Sequence, residues 1–327
     1  MIFINGQTIY ANMLNRNQLL ELRKKYLSPS LSLSYDKPLH IVRAKGQFLY
    51  DSKGDRYLDA VNNIQHVGHC HPKVVSAASE QYGILNTNTR YLDETVINYA
   101  KDLTNYLPNG LTTCFFTNSG SESNDLALRL ARTATDSKET IVLDGAYHGH
   151  VSSLIDISPY KHNSKGGSGP PSYVHTVPMP DSYRGKYRRE EALTGYIDEL
   201  KNILYSIKKN GKNISAFVVE SIMGCGGQLI LPDGFLERAF ELVRDEGGVC
   251  IADEVQIGFG RVGSKFWGFE TANVQPDIVT MGKSMGNGHP LSVVVTKKQI
   301  ADKFNNGMEY FNSFGGNPVS CAVGKAV

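Results

Sequence analysis

From Cys114 onward, short apolar or β-branched runs alternate with segments of helical period, and this alternation restricts the chain to a doubly wound α/β architecture with a largely parallel sheet. The runs expected as strands are Cys114–Thr117, Thr140–Leu143, Ala216–Val219, Val249–Ala252, Asp277–Met281 and Leu291–Val295. Helices are expected between them over Glu122–Ala131, Glu190–Lys208 and Gly234–Glu246. In the first helix, Leu126, Leu128 and Leu130 with Ala127 and Ala131 predict burial over much of the circumference. At 327 residues the chain can bury one large core, and its length fits one large domain plus part of a second.

The first fifty residues look like an appendage. They hold one short helix near Asn17–Tyr26 and a hairpin from His40–Tyr50 into Arg56–Asp59, turned by Lys53-Gly54-Asp55. Gly166–Pro171 is a loop by composition, either a plain surface loop or a flap. The last residues, Pro318–Val327, form an apolar helix-like run with no stop signal, which is expected of an interrupted chain.

Charge excludes two classes of partner. Lys plus Arg number 34 and Asp plus Glu 32, so no net field attracts nucleic acid or an anionic membrane. No apolar run reaches the ~20 residues of a spanning helix. Five scattered cysteines without a C-x-x-C pair argue for a reducing, intracellular compartment. The stretch from Asn12 to Ser34 carries Arg16, Arg23, Lys24 and Lys25 against a single acid, Glu21, which tilts the expected location toward the mitochondrion.

Several motifs fail on context. Gly258-Phe259-Gly260-Arg261-Val262-Gly263 matches G-x-G-x-x-G, but Ser264–Gly268 follows where a dinucleotide site needs a long helix. Gly282-Lys283-Ser284 resembles the tail of a P-loop, yet the required earlier glycine is Asp277. His66, His69, Cys70 and His71 have the right chemistry for zinc but no second ligand group at matching spacing, so a structured loop is the better reading and no metal is expected.

Three features converge on one chemistry. Asp253 and Glu254 end a buried strand, where open α/β sheets place their ligands. Lys283 ends the next one. Asn118-Ser119-Gly120-Ser121-Glu122 is a small-residue turn into a helix, which offers free N–H groups and a positive dipole to a phosphate. Acid, lysine and anion site together suit a phosphorylated cofactor with an aldehyde and a basic ring nitrogen, pyridoxal 5′-phosphate.

The residues also carry a family resemblance. Ser119–Glu122, Ala146-Tyr147-His148-Gly149, Ala252–Arg261, Met281-Gly282-Lys283 and Phe314–Pro318 are similar, in order, to the signatures of the class-III, fold-type-I aminotransferases, from about Leu22 to the end. Within that family the phospho-lyase branch, acting on ethanolamine phosphate or phosphohydroxylysine, is most similar. Val61–Pro72, His148-Gly149-His150, Ile157–Lys161 and Pro180–Arg188 point there, as does Ser221 after Glu220 where class-III aminotransferases usually have proline.

The resemblance implies a large domain with a mostly parallel seven-stranded sheet flanked by helices, and an incomplete small domain. Residues 1–58 would belong to the small domain, 59–310 form the large domain, and 311–327 lead toward an absent C-terminal domain. It implies Lys283 as Schiff-base lysine and general base, and Asp253 as partner of the ring nitrogen. Gly120 and Ser121 would bind the cofactor phosphate, Tyr147 would stack on the ring and Gln256 would reach the ring oxygen. His148 and Glu220 complete the cofactor contacts. Ser313 would reach the phosphate of a neighbouring subunit's cofactor, which implies a homodimer. Lys161, Arg184, Lys186 and Arg188 are candidates to hold a leaving phosphate. Three readings stay open: a phospho-lyase on a small phosphorylated amine, an aminotransferase using an α-keto acid, and an inactive fragment of either.

Overall fold

The computed structural model describes residues 2–4, 7–9 and 14–327. The chain divides into two compact units, Met1–Val61 and Asn62–Val327.

In the first unit, β1 (Ile2–Ile4) and β2 (Gln7–Ile9) pair antiparallel, and α1 (Arg16–Tyr26) opens on a capping box between Asn15 and Gln18. Strands β3 (Ile41–Lys45), β4 (Phe48–Asp51) and β5 (Arg56–Leu58) form an antiparallel meander. The sequence predicted one hairpin here. Its first arm in fact folds back at Gly46-Gln47, where Lys45 pairs with Phe48 and Gly46 takes the positive φ of 56° that such a tight connection requires. The expected turn at Lys53-Gly54-Asp55 forms, with Asp51 Oδ1 accepting from the N–H groups of Lys53 and Asp55, each at 2.9 Å.

The second unit contains α2 (Pro72–Tyr82), α3 (Glu94–Thr104), β6 (Leu111–Thr117), α4 (Gly120–Thr135), β7 (Glu139–Leu143), α5 (Ser152–Asp156), α6 (Pro159–His162), β8 (Val174–Val177), α7 (Glu191–Lys209) and β9 (Ile214–Val219). The short pair β10 (Ile222–Met223) and β11 (Leu229–Ile230) precedes α8 (Phe235–Asp245), β12 (Val249–Asp253), β13 (Ile278–Met281), β14 (Ser292–Lys297), α9 (Lys298–Phe304) and α10 (Pro318–Ala326). Seven strands form one sheet in the order β6-β14-β13-β12-β9-β7-β8. Only β14 runs against its neighbours, β13 and β6. This is the fold-type-I architecture.

Alternation along the buried strands explains the layers. Phe217, Val219, Cys250, Ala252, Val279 and Met281 face one side, where they pack with Tyr196, Leu200, Phe235 and Phe240 of α7 and α8. Ala216, Val218, Val249, Ile251 and Ile278 face the other side and meet Leu126, Leu128, Leu130, Ala127 and Ala131 of α4. Each predicted strand is present. The sequence missed β8, an edge strand whose His175 and Thr176 are only half-buried, so its four residues lack a continuous apolar run. The glycine-rich segment around Gly258–Gly263 is a series of turns leading to the 3₁₀ turn Gly268–Ala272.

The Phe217 ring is fully buried and meets the Phe240 ring edge-on, with centroids 6.3 Å apart. Phe217→Ala should therefore destabilise the chain by about 3–5 kcal/mol in urea unfolding. A loss below ~1 kcal/mol would mean that the two layers do not close on this ring.

Candidate active site

The parallel strands β6, β7, β9, β12 and β13 all end on the same edge of the sheet, and the segment leaving each end carries a polar group. Every residue predicted to contact the cofactor, except Ser313, lines one cavity of about 190 Å³ at this edge, whereas Lys161, Arg184, Lys186 and Arg188 do not.

Asp253 ends β12 and is almost fully buried. Its Oδ2 accepts from Asn124 Nδ2 and from His148 Nδ1, both at 2.8 Å, and its Oδ1 accepts from the Val255 N–H at 3.1 Å. The carboxylate selects the His148 tautomer with the proton on Nδ1. Three donors leave the two oxygens room for one more, since a carboxylate offers about four lone-pair directions. His148 is itself held by its N–H, which donates to Ser158 Oγ at 2.9 Å.

Asn124 was not predicted. It lies on the inner face of α4 and also donates to the His148 carbonyl at 2.8 Å. The signal was an amide on a helix face otherwise read as buried, because such a group must find a partner.

Ser119 caps α4 by accepting from the Glu122 N–H at 3.2 Å, and the helix start leaves the N–H groups of Gly120 and Ser121 toward the cavity. The Ser121 Oγ lies 3.1 Å from His150 Nδ1 and accepts the His150 N–H at 3.2 Å. Gly120 is needed for close approach, because a Cβ there would lie 2.8 Å from Val255 Cγ1.

Lys283 follows β13 and opens a 3₁₀ turn, Lys283–Gly286, with a φ of 38°. A non-glycine residue in this region is strained and persists only where its surroundings hold it. Val67 and Gly68 do so at the far end of the turn. The Val67 N–H donates to Asn287 Oδ1, and Asn287 Nδ2 donates to the Gly68 carbonyl, each at 2.9 Å. The histidine-rich segment is thus part of the site's framework: His66 sits edge-on to Phe259, and His71 precedes α2.

Glu220, beyond β9, accepts from the N–H groups of Tyr147 at 3.2 Å and Gly224 at 3.0 Å, and burial pushes its carboxyl above the usual range. The Tyr147 ring meets Tyr160 edge-on at 6.0 Å, and burial raises its hydroxyl. Gln256 Oε1 accepts from Asn63 Nδ2 at 2.9 Å.

The acid pair separates, as successive strand residues must. While Asp253 faces the cavity, Glu254 turns away and accepts from Gly268 N–H (2.7 Å), Phe269 N–H (3.0 Å) and Ser221 Oγ (3.1 Å). Burial pushes its carboxyl up to about 7, against the pull of these donors.

The predicted leaving-group cations are not gathered together. Lys186 pairs with Glu199 at 2.5 Å, Arg188 Nε donates to the Gly185 carbonyl, and neither these nor Arg184 line the cavity. Lys161 lies 5.8 Å from the Tyr147 ring centroid and 5.5 Å from that of Tyr160. Ser313 is exposed and outside the cavity.

An amine, a carboxylate with a free acceptor direction and a helix start too tight for a Cβ suit a small molecule that carries an aldehyde, a basic ring nitrogen and a phosphate. Comparison with known proteins agrees. A family model described as aminotransferase class-III matches residues 32–327. The chain is 48% identical to the Drosophila melanogaster protein named alanine–glyoxylate aminotransferase 2-like, over 98% of the chain and 66% of that protein. It is 43% identical to ethanolamine-phosphate phospho-lyase homolog 1 of Caenorhabditis elegans, over 94% of the chain and 69% of that protein. The chain thus spans about two thirds of the length of these curated relatives. Among solved structures it resembles a phospholyase from Arthrobacter in complex with phosphoethanolamine, with a TM-score of 0.88 and 39% identity over 94% of this chain and 72% of that one. The family and its cofactor-bound structural neighbours make the cofactor pyridoxal 5′-phosphate.

A carboxyl raised from 4.5 to about 7 on folding favours the folded state below pH 4.5 and loses that contribution as pH climbs through 7. Unfolding free energy should therefore fall by roughly 3 kcal/mol across this window through Glu254. Glu254→Gln should be less stable at low pH, because one N–H loses its acceptor, but flatter across the same window. An unchanged slope in the variant would remove Glu254 as the source.

Proposed function

The chain belongs to the class-III aminotransferase family, and from that premise we propose that it acts as a phospho-lyase on a small phosphorylated amine such as O-phosphoethanolamine. With one water consumed to release the nitrogen as ammonia, the products would be acetaldehyde, ammonia and phosphate. The observation that carries this reading is the likeness, in sequence and in fold, to the phosphoethanolamine-bound phospholyase.

When bound, pyridoxal phosphate supplies the sink for the electrons of the carbon beside the substrate nitrogen. The protein's part is to hold that sink and to move one proton. The N–H groups of Gly120 and Ser121 would bind the cofactor phosphate at the start of α4. Asp253, its rotamer held by Asn124 and His148, would meet the ring nitrogen. Tyr147 would cover the ring and Gln256 would reach the ring oxygen, while Glu220 orders the backbone that carries Tyr147. Lys283 Nζ would hold the cofactor aldehyde and would take the proton from the carbon beside the substrate nitrogen. The C–O bond to the phosphate then breaks and its electron pair leaves with the phosphate, so no keto acid is required.

Lys161 is the cation best placed for that leaving group. It lies beside the Tyr147 wall, and no carboxylate among the described residues neutralises it. Its helix α6 is tied to the cofactor loop, where the Tyr160 N–H donates to the Ala146 carbonyl at 3.1 Å and Ser158 Oγ accepts from His148.

A homodimer is part of the proposal. Ser313, outside its own chain's cavity, would serve the partner's cofactor phosphate. Nearby Phe314 is 70% exposed, and Ile84 and Leu92 are 79% and 99% exposed, apolar area that a second copy would cover. A second reading, transamination to an α-keto acid, is favoured by the name of the Drosophila relative and shares every cofactor residue.

The purified, cofactor-loaded chain should release phosphate from O-phosphoethanolamine with no keto acid present. Lys283→Ala should abolish release, and Lys161→Ala should raise KM about tenfold with a smaller change in kcat. Phosphate release only when a keto acid is added, or none with the cofactor bound, would sink the phospho-lyase reading. Light scattering should give a dimer mass for the loaded chain, and a monomer that still holds the cofactor would end the role of Ser313.

A further inference from the structure

We infer that Asn63 is a positioning residue for the cofactor: by donating to the Gln256 side-chain carbonyl, it turns the Gln256 NH₂ group toward the cofactor's ring oxygen. This rests on the contact between Gln256 and the ring oxygen in the reading above.

A primary amide has two ends of nearly the same shape and opposite chemistry, a carbonyl that accepts and an NH₂ that donates. The ring oxygen of pyridoxal phosphate is an acceptor, so only the NH₂ end supports it. The other end sets two oxygens against each other across a part-buried contact, an unmatched polar pairing that costs free energy. Something must therefore choose the end.

Two contacts in the protein choose it in the same sense. Asn63 Nδ2 donates to Gln256 Oε1 at 2.9 Å, and Gln256 Nε2 lies 3.6 Å from Cys225 Sγ, a weak acceptor that leaves the second NH₂ hydrogen free. Turning the amide over would set the NH₂ of Asn63 against that of Gln256. The side chain is also confined from the opposite side: a Cβ on Gly224 would lie 3.1–3.2 Å from Gln256 Cδ, Oε1 and Nε2. Gly224 is itself fixed by its N–H, which donates to Glu220.

The segment that carries Asn63 is anchored close by. Four residues later, the same segment is bonded through Val67 and Gly68 to Asn287, which ends the Lys283 turn. One strap therefore holds the residue that orients Gln256 and the turn that presents Lys283.

The test is the absorbance of the bound cofactor in the loaded chain, read as the pH midpoint of its spectral change, together with cofactor affinity. A donor to the ring oxygen stabilises its deprotonated form, so losing that donor raises the midpoint. Gln256→Leu should raise it by about half a pH unit or more, the size of one hydrogen bond. Asn63→Leu should raise it in the same sense and weaken cofactor binding about three- to tenfold. Asn63→Asp, nearly the same shape but unable to donate, should do likewise, so a folding defect in one variant does not decide the matter. Adding Asn63→Leu to Gln256→Leu should shift the midpoint no further. If Gln256→Leu moves the midpoint while both Asn63 variants keep the wild-type value, the inference is overturned and the Gln256 contact stands. If Gln256→Leu itself moves nothing, the Gln256 contact fails and the role of Asn63 falls with it.

Discussion

A carboxylate buried at the edge of a sheet dictates the surroundings of this site. Asp253 cannot sit at the end of a fully buried strand without compensation, because a buried charge left unpaired costs about 3–5 kcal/mol. Its partners come from three places: an amide from the first turns of α4, an imidazole from the loop after β7, and the N–H of Val255 two residues on. Each partner then needs support of its own. Asn124 bonds the His148 carbonyl, and Ser158 receives the His148 N–H. Satisfying one charge therefore fixes where α4, the Tyr147-His148 loop and α6 meet.

The sheet makes this convergence possible. Because β6, β7, β9, β12 and β13 run parallel, the residues that follow them emerge on one edge and within reach of a single small molecule. The close approach at Gly120 and Val255 brings the positive end of α4 to that edge, and the strained Lys283 turn projects its amine from the adjacent strand. The neighbouring acid Glu254 faces the other way and fastens the wall at Gly268 and Phe269. In this chain a serine hydroxyl, Ser221, joins that fastening.

Much of this was legible in the sequence where the physics is local. The central strands are buried on both faces and so read as continuous apolar runs, whereas the half-buried β8 does not. The small-residue turn at Ser119-Gly120-Ser121 announced a helix start, but not that the Ser121 hydroxyl would be engaged by His150. Basic residues clustered in sequence at 184–188 looked like an anion site, yet one of them is paired with Glu199 and another with a backbone carbonyl. Clustering along the chain is not convergence in space.

The sequence by itself determined the central strands, their two-faced burial and the chemical identity of the groups that line the cavity, since periodicity and residue type belong to short stretches of chain. Tertiary structure alone decided which polar group meets which. Asn124 and Asp253 are 129 residues apart, Asn63 and Gln256 are 193 apart, and their side chains meet only after the strands align. The physical reason is that a hydrogen bond needs heavy atoms within about 3 Å, a condition that no local pattern encodes.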